Sequence, residues 1–143
     1  MAHTCQACIV TCMDFRLHRR ADRRDALGQF VDSLGVDCDI IARAGAVQDI
    51  VRPAPEGENT LLRDLGISVA LHQIKTIYLV NHENCGAYGG HNLPDAEAEC
   101  AMHHDDLAAA CVIVGEMFPG VTVTPVLARL VEGSDDDYRI ELG

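Results

Sequence analysis

No apolar run in this sequence is long enough to cross a bilayer. The longest, such as Ala108–Val114, fall well short of the about 20 residues that a membrane helix needs. Met1 to Cys5 lack the basic-then-apolar pattern of a secretory signal. These absences predict a soluble, cytoplasmic protein. Basic residues are also scarce, with 11 Lys plus Arg against 22 Asp plus Glu, for a formal net charge of −11. A surface this acidic repels nucleic acid phosphates and anionic lipid, so neither nucleic acid nor membrane is expected as a partner. Lysine is nearly missing: Lys75 stands alone among arginines. Internal repeats, linkers and low-complexity segments are lacking too, which points to one domain over residues 1–143.

Hydrophobic residues make up 48% of the 143 residues, enough for a real core. Seven cysteines are present, an odd number that excludes complete internal disulfide pairing. In a reducing compartment, cysteines with interspersed histidines suggest metal ligation or small buried apolar side chains.

The hydrophobic pattern alternates between strand and helix. Gln6–Thr11 reads as a buried strand. His18 to Leu34 carries Ala21, Leu27, Phe30, Val31 and Leu34 at roughly helical spacing, stopped by Gly35. Asp39–Ala42 is a second strand, and Val51–Asn59, with two prolines and a glycine, is a loop. Asn59 or Thr60 caps a helix running to about Gln73. Lys75–Asn81, rich in β-branched residues and with a tyrosine, is the strongest strand signal. Pro94-Asp95 opens a long helix that ends near Phe118, before Pro119-Gly120. Val121–Glu132 and Tyr138–Leu142 form a final hairpin around Gly133. The order β-α-β-α-β-α-β-β predicts an α/β domain. Its mostly parallel sheet of about five strands is flanked by helices, with the last strand antiparallel at the edge.

Sites in open α/β sheets form beyond the carboxyl ends of the strands. Three chemically rich segments fall at three such ends: Cys12 to Arg16, Arg43 to Gly45, and His82 to Gly86. Residues about 70 positions apart are thus expected to meet at one rim. Cys12, His82 and Cys85 supply two thiolates and an imidazole, the donors that zinc favours, and leave a fourth position open. Asp14 beside Arg16 would stay ionised and oriented, because a guanidinium offers a planar double donor.

These segments carry a family resemblance. Cys12-Met13-Asp14-Phe15-Arg16 resembles the C-x-D-x-R motif of β-class carbonic anhydrases, and His82-Glu83-Asn84-Cys85-Gly86 resembles their H-x-x-C-G motif. Ala44-Gly45 matches the end of the Arg-Asn-Ala-Gly segment between them, although Ala42-Arg43 replaces Arg-Asn. Ala46 stands where Asn or a similar residue is common. The N-terminal arm usual in the family is not seen ahead of Cys12. The resemblance implies a Zn2+ ion on Cys12, His82 and Cys85, and catalytic roles for Asp14 and Arg16. Gly45, Ala46 and Gly86 would border the substrate pocket. The implied reaction is reversible hydration of carbon dioxide to bicarbonate through a zinc-bound hydroxide, and the implied assembly a homodimer or higher homo-oligomer. The altered pocket residues leave two alternatives. One is a zinc hydrolase of a related small electrophile, carbon disulfide or carbonyl sulfide. The other is a catalytically inactive zinc-binding protein on this fold.

The remaining features have plainer readings. Cys8 alternates with Val10 and Cys12, so it is expected to point into a sheet face. Cys5-Gln6-Ala7-Cys8 with His3 resembles half of a zinc or redox motif, but its cysteines read first as core or terminal residues. Cys38, Cys100 and Cys111 read as packing residues. His103-His104-Asp105-Asp106 reads as an exposed polar turn rather than a metal patch. Arg19, Arg20, Arg23 and Arg24 read as a salt-bridged surface beside Asp22 and Asp25.

Overall fold

The computed structural model describes residues 3–53, 59–90, 93 and 95–142. The strands are β1 (Ala7–Thr11), β2 (Cys38–Ala42), β3 (Thr76–His82), β4 (Thr122–Leu130) and β5 (Tyr138–Arg139). The helices are α1 (Ala26–Leu34), α2 (Gln48–Val51), α3 (Thr60–His72) and α4 (Ala96–Met117). The sheet order is β2-β1-β3-β4-β5. β1 runs parallel to β2 and β3, β3 parallel to β4, and β5 antiparallel to β4. The expected α/β architecture, with its antiparallel edge, is therefore the observed one. Among the described residues no helix is long and apolar enough to cross a membrane.

β1 is buried along its whole length, as a central strand covered on both faces must be. Its alternate side chains feed two cores. Cys8 and Val10 pack with Leu61 and Leu65 of α3 and Leu107 and Val114 of α4. Ile9 packs on the opposite face with Leu27 and Phe30 of α1. α1 therefore covers one face, and α3 and α4 the other.

Side-chain caps set the helix starts. Asn59 accepts from the Leu62 N–H at 3.1 Å and opens α3, while Asp95 accepts from the Ala98 N–H at 2.7 Å and opens α4. Pro94, expected to begin that helix, lies outside the described residues, as does most of the loop before Asn59.

Two boundaries differ from the sequence expectation. The segment from His18 to Leu34 is helical only from Ala26. Asp25 caps α1 at the Gly28 N–H, the Asp22 carboxylate takes the Arg24 N–H, and Arg23 has φ 75°. Local side-chain bonds to the backbone thus replace the helix ladder. β5 pairs over Tyr138–Arg139 alone, and Ile140 beyond it packs, like Tyr138, in the core with Leu27 and Phe30. α2 was not expected at all. The arginine cluster does form ion pairs, with Arg20 reaching Asp136 and Arg24 reaching both Asp22 and Asp136.

Candidate metal centre

β1 connects to β2 on one side and lies against β3 on the other, so the strand order reverses between β1 and β3. A crevice opens at such a switch point. Cys12 follows β1 there, and His82 is the last residue of β3. Backbone bonds prolong the β1–β2 contact past the strand ends: Arg43 N donates to Thr11 O at 2.9 Å and Met13 N to Arg43 O at 3.1 Å. The strand alternation breaks at this point. Cys12 packs in the cluster of Ile9, not on the face of Cys8 and Val10, which corrects the expected parity. Between His82 and Cys85 the chain turns through Asn84 at φ 57°, a left-handed conformation that Asn tolerates better than most residues.

One donor atom from each of Cys12, His82 and Cys85 lies within 4.8 Å of the other two, and all three residues are buried. His82 is the most informative. Its Nδ1 lies 2.8 Å from the Glu83 carbonyl and 3.1 Å from the Tyr138 hydroxyl, which itself donates to Glu83 O at 2.7 Å. Glu83 O can only accept, so Nδ1 carries the proton and Nε2 presents a lone pair. That Nε2 is buried and has no hydrogen-bond partner. Such a nitrogen, facing two thiols, is costly to bury unless a ligand satisfies it.

The sulfurs are prepared for charge. The hydrogen bond from the Cys85 thiol holds Cys12 well below its ordinary value against desolvation, and the Gly45 and Asp14 N–H groups add to this. Cys85 keeps the shared proton and is pushed up, first by Cys12 and then by burial, although the Tyr88 and Ala87 N–H groups lower it. Two sulfurs and one imidazole nitrogen, with backbone donors behind the sulfurs, fit zinc.

Asp14 stands beside this cluster, its Oδ2 3.9 Å from His82 Nε2. Arg16 grips both carboxylate oxygens: Nη2 donates to Oδ2 at 2.8 Å, Nε lies 3.1 Å from Oδ1, and the Arg16 N–H donates to Oδ1 at 2.9 Å. Partial burial would raise the Asp14 carboxyl, but these bonds outweigh it and hold the group below its ordinary value. Arg16 is fixed in turn. It donates to the Asn84 Oδ1 at 3.1 Å, the Asn84 carbonyl at 3.0 Å and the Asp135 carbonyl at 2.8 Å, and it lies over the Tyr138 ring.

Gly45 and Ala46 form the turn behind Cys12. Gly45 has φ 78°, the left-handed conformation that favours glycine, and a Cβ there would lie 3.1 Å from Gln48 Cβ and 3.3 Å from Ala87 Cβ. Ala46 has φ 46° while fully buried, a strained backbone held by its surroundings. Gly86 begins the single 3₁₀ turn after Cys85.

Four supporting residues escaped the sequence reading. Tyr138 fixes His82, and Asn84 fixes Arg16. Glu99, on α4, accepts the Asn84 N–H with both oxygens at 2.8 Å. His103 is fully buried, not part of an exposed turn; its Nδ1 is 3.0 Å from Asn81 Nδ2 and its Nε2 3.7 Å from Glu99. Helical spacing supplies the reason: Glu99, His103, Asp106 and Leu107 share the inward side of α4, while His104 and Asp105 are exposed. Glu99 and His103, at i and i+4, were the only signal in the sequence.

Comparison with known proteins shows the fold and the family. Solved structures with the same fold include a carbonic anhydrase from Streptococcus mutans, at TM-score 0.57 and 17% identity, covering 99% of this chain and 84% of that one. Another is the β-carbonic anhydrase isoform I of Trichomonas vaginalis, at TM-score 0.56 and 16% identity, covering 99% and 85%. At these identities the likeness is one of fold. An uncharacterized protein of Rickettsia conorii is 30% identical over 139 residues, 92% of this chain and 72% of its own length. A second, from Rickettsia bellii, is 30% identical over 129 residues, 85% of this chain and 75% of its own. A family model described as "Putative carbonic anhydrase" matches residues 2–129, which takes in both the Cys12 and the His82–Cys85 segments. The chain belongs to that family.

Proposed function

We propose that the chain holds one zinc ion on Cys12, His82 and Cys85 and catalyses the reversible hydration of carbon dioxide to bicarbonate. The observation that carries this reading is the orphaned Nε2 of His82, buried against two thiols while Nδ1 is locked on Glu83 O. Zinc would supply Lewis-acid polarisation of water at neutral pH. The chain's own residues do the rest. Asp14, kept ionised by Arg16, offers Oδ2 as an acceptor on the side of the cluster nearest His82 Nε2, and so orients a water there. Asn84 and Tyr138 prevent Arg16 from leaving Asp14. Gly86, where an added Cβ would meet nothing within 4 Å, leaves room for a small substrate beside the ligands, and Gly45 and Ala46 back the site from the turn behind Cys12.

Two further parts of the reading rest on exposure and redox state. Met13 and Phe15 flank Asp14 and are 64% and 68% exposed. Apolar surface of this kind at the site entrance suits a second copy of the chain, and we read the protein as a homodimer or higher oligomer. All seven cysteines are unpaired, the state that a reducing cytoplasm maintains.

Stopped-flow hydration of carbon dioxide tests the reading. Activity is expected in the zinc-loaded protein and should vanish in Cys12→Ser and Asp14→Asn while circular dichroism stays unchanged. Full zinc occupancy at the three ligands with no hydration above background contradicts it.

A further inference from the structure

Cys5, Asp39 and His72 form a second convergence of metal-type donors, at the opposite pole of the sheet. Cys5 lies just ahead of β1, Asp39 is the second residue of β2, and His72 ends α3. Parallel strands enter a sheet from the same edge, so the starts of β1 and β2 meet where α3 returns the chain towards β3. Backbone bonds hold these segments together independently of their side chains. Cys5 N donates to His72 O at 3.1 Å, and Gln6 N to Asp37 O at 3.3 Å.

One donor atom from each of the three residues lies within 4.8 Å of the others. His72 Nδ1 is 2.6 Å from Asp39 Oδ2, and the Ser68 hydroxyl donates to the same oxygen at 2.7 Å. Those two contacts need no thiol, and the Cys5 thiol has a long hydrogen bond of its own to Ala7 O at 3.5 Å. The thiol of Cys5 is nevertheless brought to the pair, and a cavity of about 180 Å³ beside it is also lined by His3 and Cys38. A tetrahedral ion needs four donors, and Cys, His and Asp are all zinc ligands. With Asp37, six such side chains from three segments of the chain share this one cavity wall. The side chains of His72 and Asp39 are 40% and 30% exposed, so an ion from solvent can reach them.

We propose that Cys5, Asp39 and His72, with His3 or Cys38 as fourth donor, form a second, structural site for a divalent cation of the zinc type. The ion would replace the proton between His72 Nδ1 and Asp39 Oδ2. It would clamp the residues ahead of β1 to β2 and to the end of α3. This site is more than a strand's length from Cys12 and stands whether or not the first centre hydrates carbon dioxide.

The test is metal content and cobalt spectroscopy on the full chain. The zinc-loaded protein is expected to hold a second equivalent that His72→Ala loses while its hydration activity is unchanged. In Cys12→Ser, which removes a ligand of the first centre, added Co2+ should still give a thiolate charge-transfer band in the near ultraviolet. Cys5→Ser in that background should weaken the band, since Cys5 supplies one of its thiolates. A metal content that is the same in His72→Ala as in the parent protein would overturn the proposal. So would a cobalt band in Cys12→Ser that Cys5→Ser leaves at the same intensity. Because His72 is a surface residue, its variant carries the test even if Cys12→Ser does not fold.

Discussion

Tyr138 secures His82 by the ring nitrogen that faces away from the thiols: the hydroxyl lies 3.1 Å from Nδ1 and donates to the same Glu83 carbonyl that Nδ1 contacts. A residue from the edge strand thereby reinforces the tautomer that Glu83 O sets at the end of β3. The ring pair is edge-on, with centroids 5.3 Å apart, so position as well as protonation is fixed.

Tyr138→Phe keeps the ring and removes the hydroxyl. Outer partners of a metal-bound histidine typically change affinity by about 10–100-fold. Zinc affinity, measured by competition with a chromophoric chelator, should fall within that range. Stability without metal should fall by about 1 kcal/mol, the loss of one buried hydrogen bond. Unchanged affinity would mean that Glu83 O alone orients the ring.

Asp14→Asn keeps the shape of the side chain and removes its charge. Loss of a positioned proton acceptor costs about 10²–10⁴-fold in rate. Hydration by the variant should drop by at least the lower figure, with zinc content unchanged. Arg16→Ala should have a comparable effect, because it releases Asp14 from three of its bonds. Wild-type rates in Asp14→Asn would remove this residue from the reaction.

Glu99 lies behind the metal loop and supports it. Its carboxylate takes the Asn84 N–H on both oxygens, and Gly90 packs so tightly against it that a Cβ there would overlap the carboxylate. Glu99→Ala leaves a buried N–H without a partner and His103 without its acidic neighbour, at a cost of about 1–3 kcal/mol. Urea denaturation measures this. Gly90→Ala should be destabilising in the same assay, since the carboxylate must shift to make room. A neutral Glu99→Ala would show that the loop holds itself.

A pH dependence follows from Arg52 and Asp106, which pair through both guanidinium nitrogens. Burial would raise Asp106, but Arg52 and Tyr88 outweigh it and hold the carboxyl below its ordinary value of 3.8. A carboxyl depressed in the folded state stabilises it above the unfolded value and loses that contribution as pH falls through the folded one. The stability difference between wild type and Arg52→Ala should therefore be full at neutral pH and shrink below about pH 3.8. Arg52 is 54% exposed, so the neutral-pH difference should be modest, about 1 kcal/mol. A difference that grows on acidification would contradict the assignment.

The legible part of this protein was its chain direction and its soft donors. Strand–helix alternation put Cys12 and His82 at the carboxyl ends of two strands, and parallel pairing made those ends neighbours. Periodicity failed where short polar side chains rewrote the backbone, as Asp22 and Asp25 did ahead of α1. It failed again after Thr11, where leaving the strand moved Cys12 to the other core. Tyr138, Glu99 and His103 could not be read because their role depends on which side chain meets which across the sheet. That is decided by packing of α4 and the final hairpin, not by local pattern. The Cys5–Asp39–His72 cluster was hidden for the same reason, its members being spread over three elements.

A crystal structure of the purified protein with anomalous data at the zinc edge tests the central claim most directly. The account predicts a peak bonded to Cys12 Sγ and Cys85 Sγ at about 2.3 Å and to His82 Nε2 at about 2.0–2.1 Å, with Nδ1 still on Glu83 O. A peak that misses His82 Nε2, or zinc-saturated crystals in which these three side chains hold nothing, would contradict it.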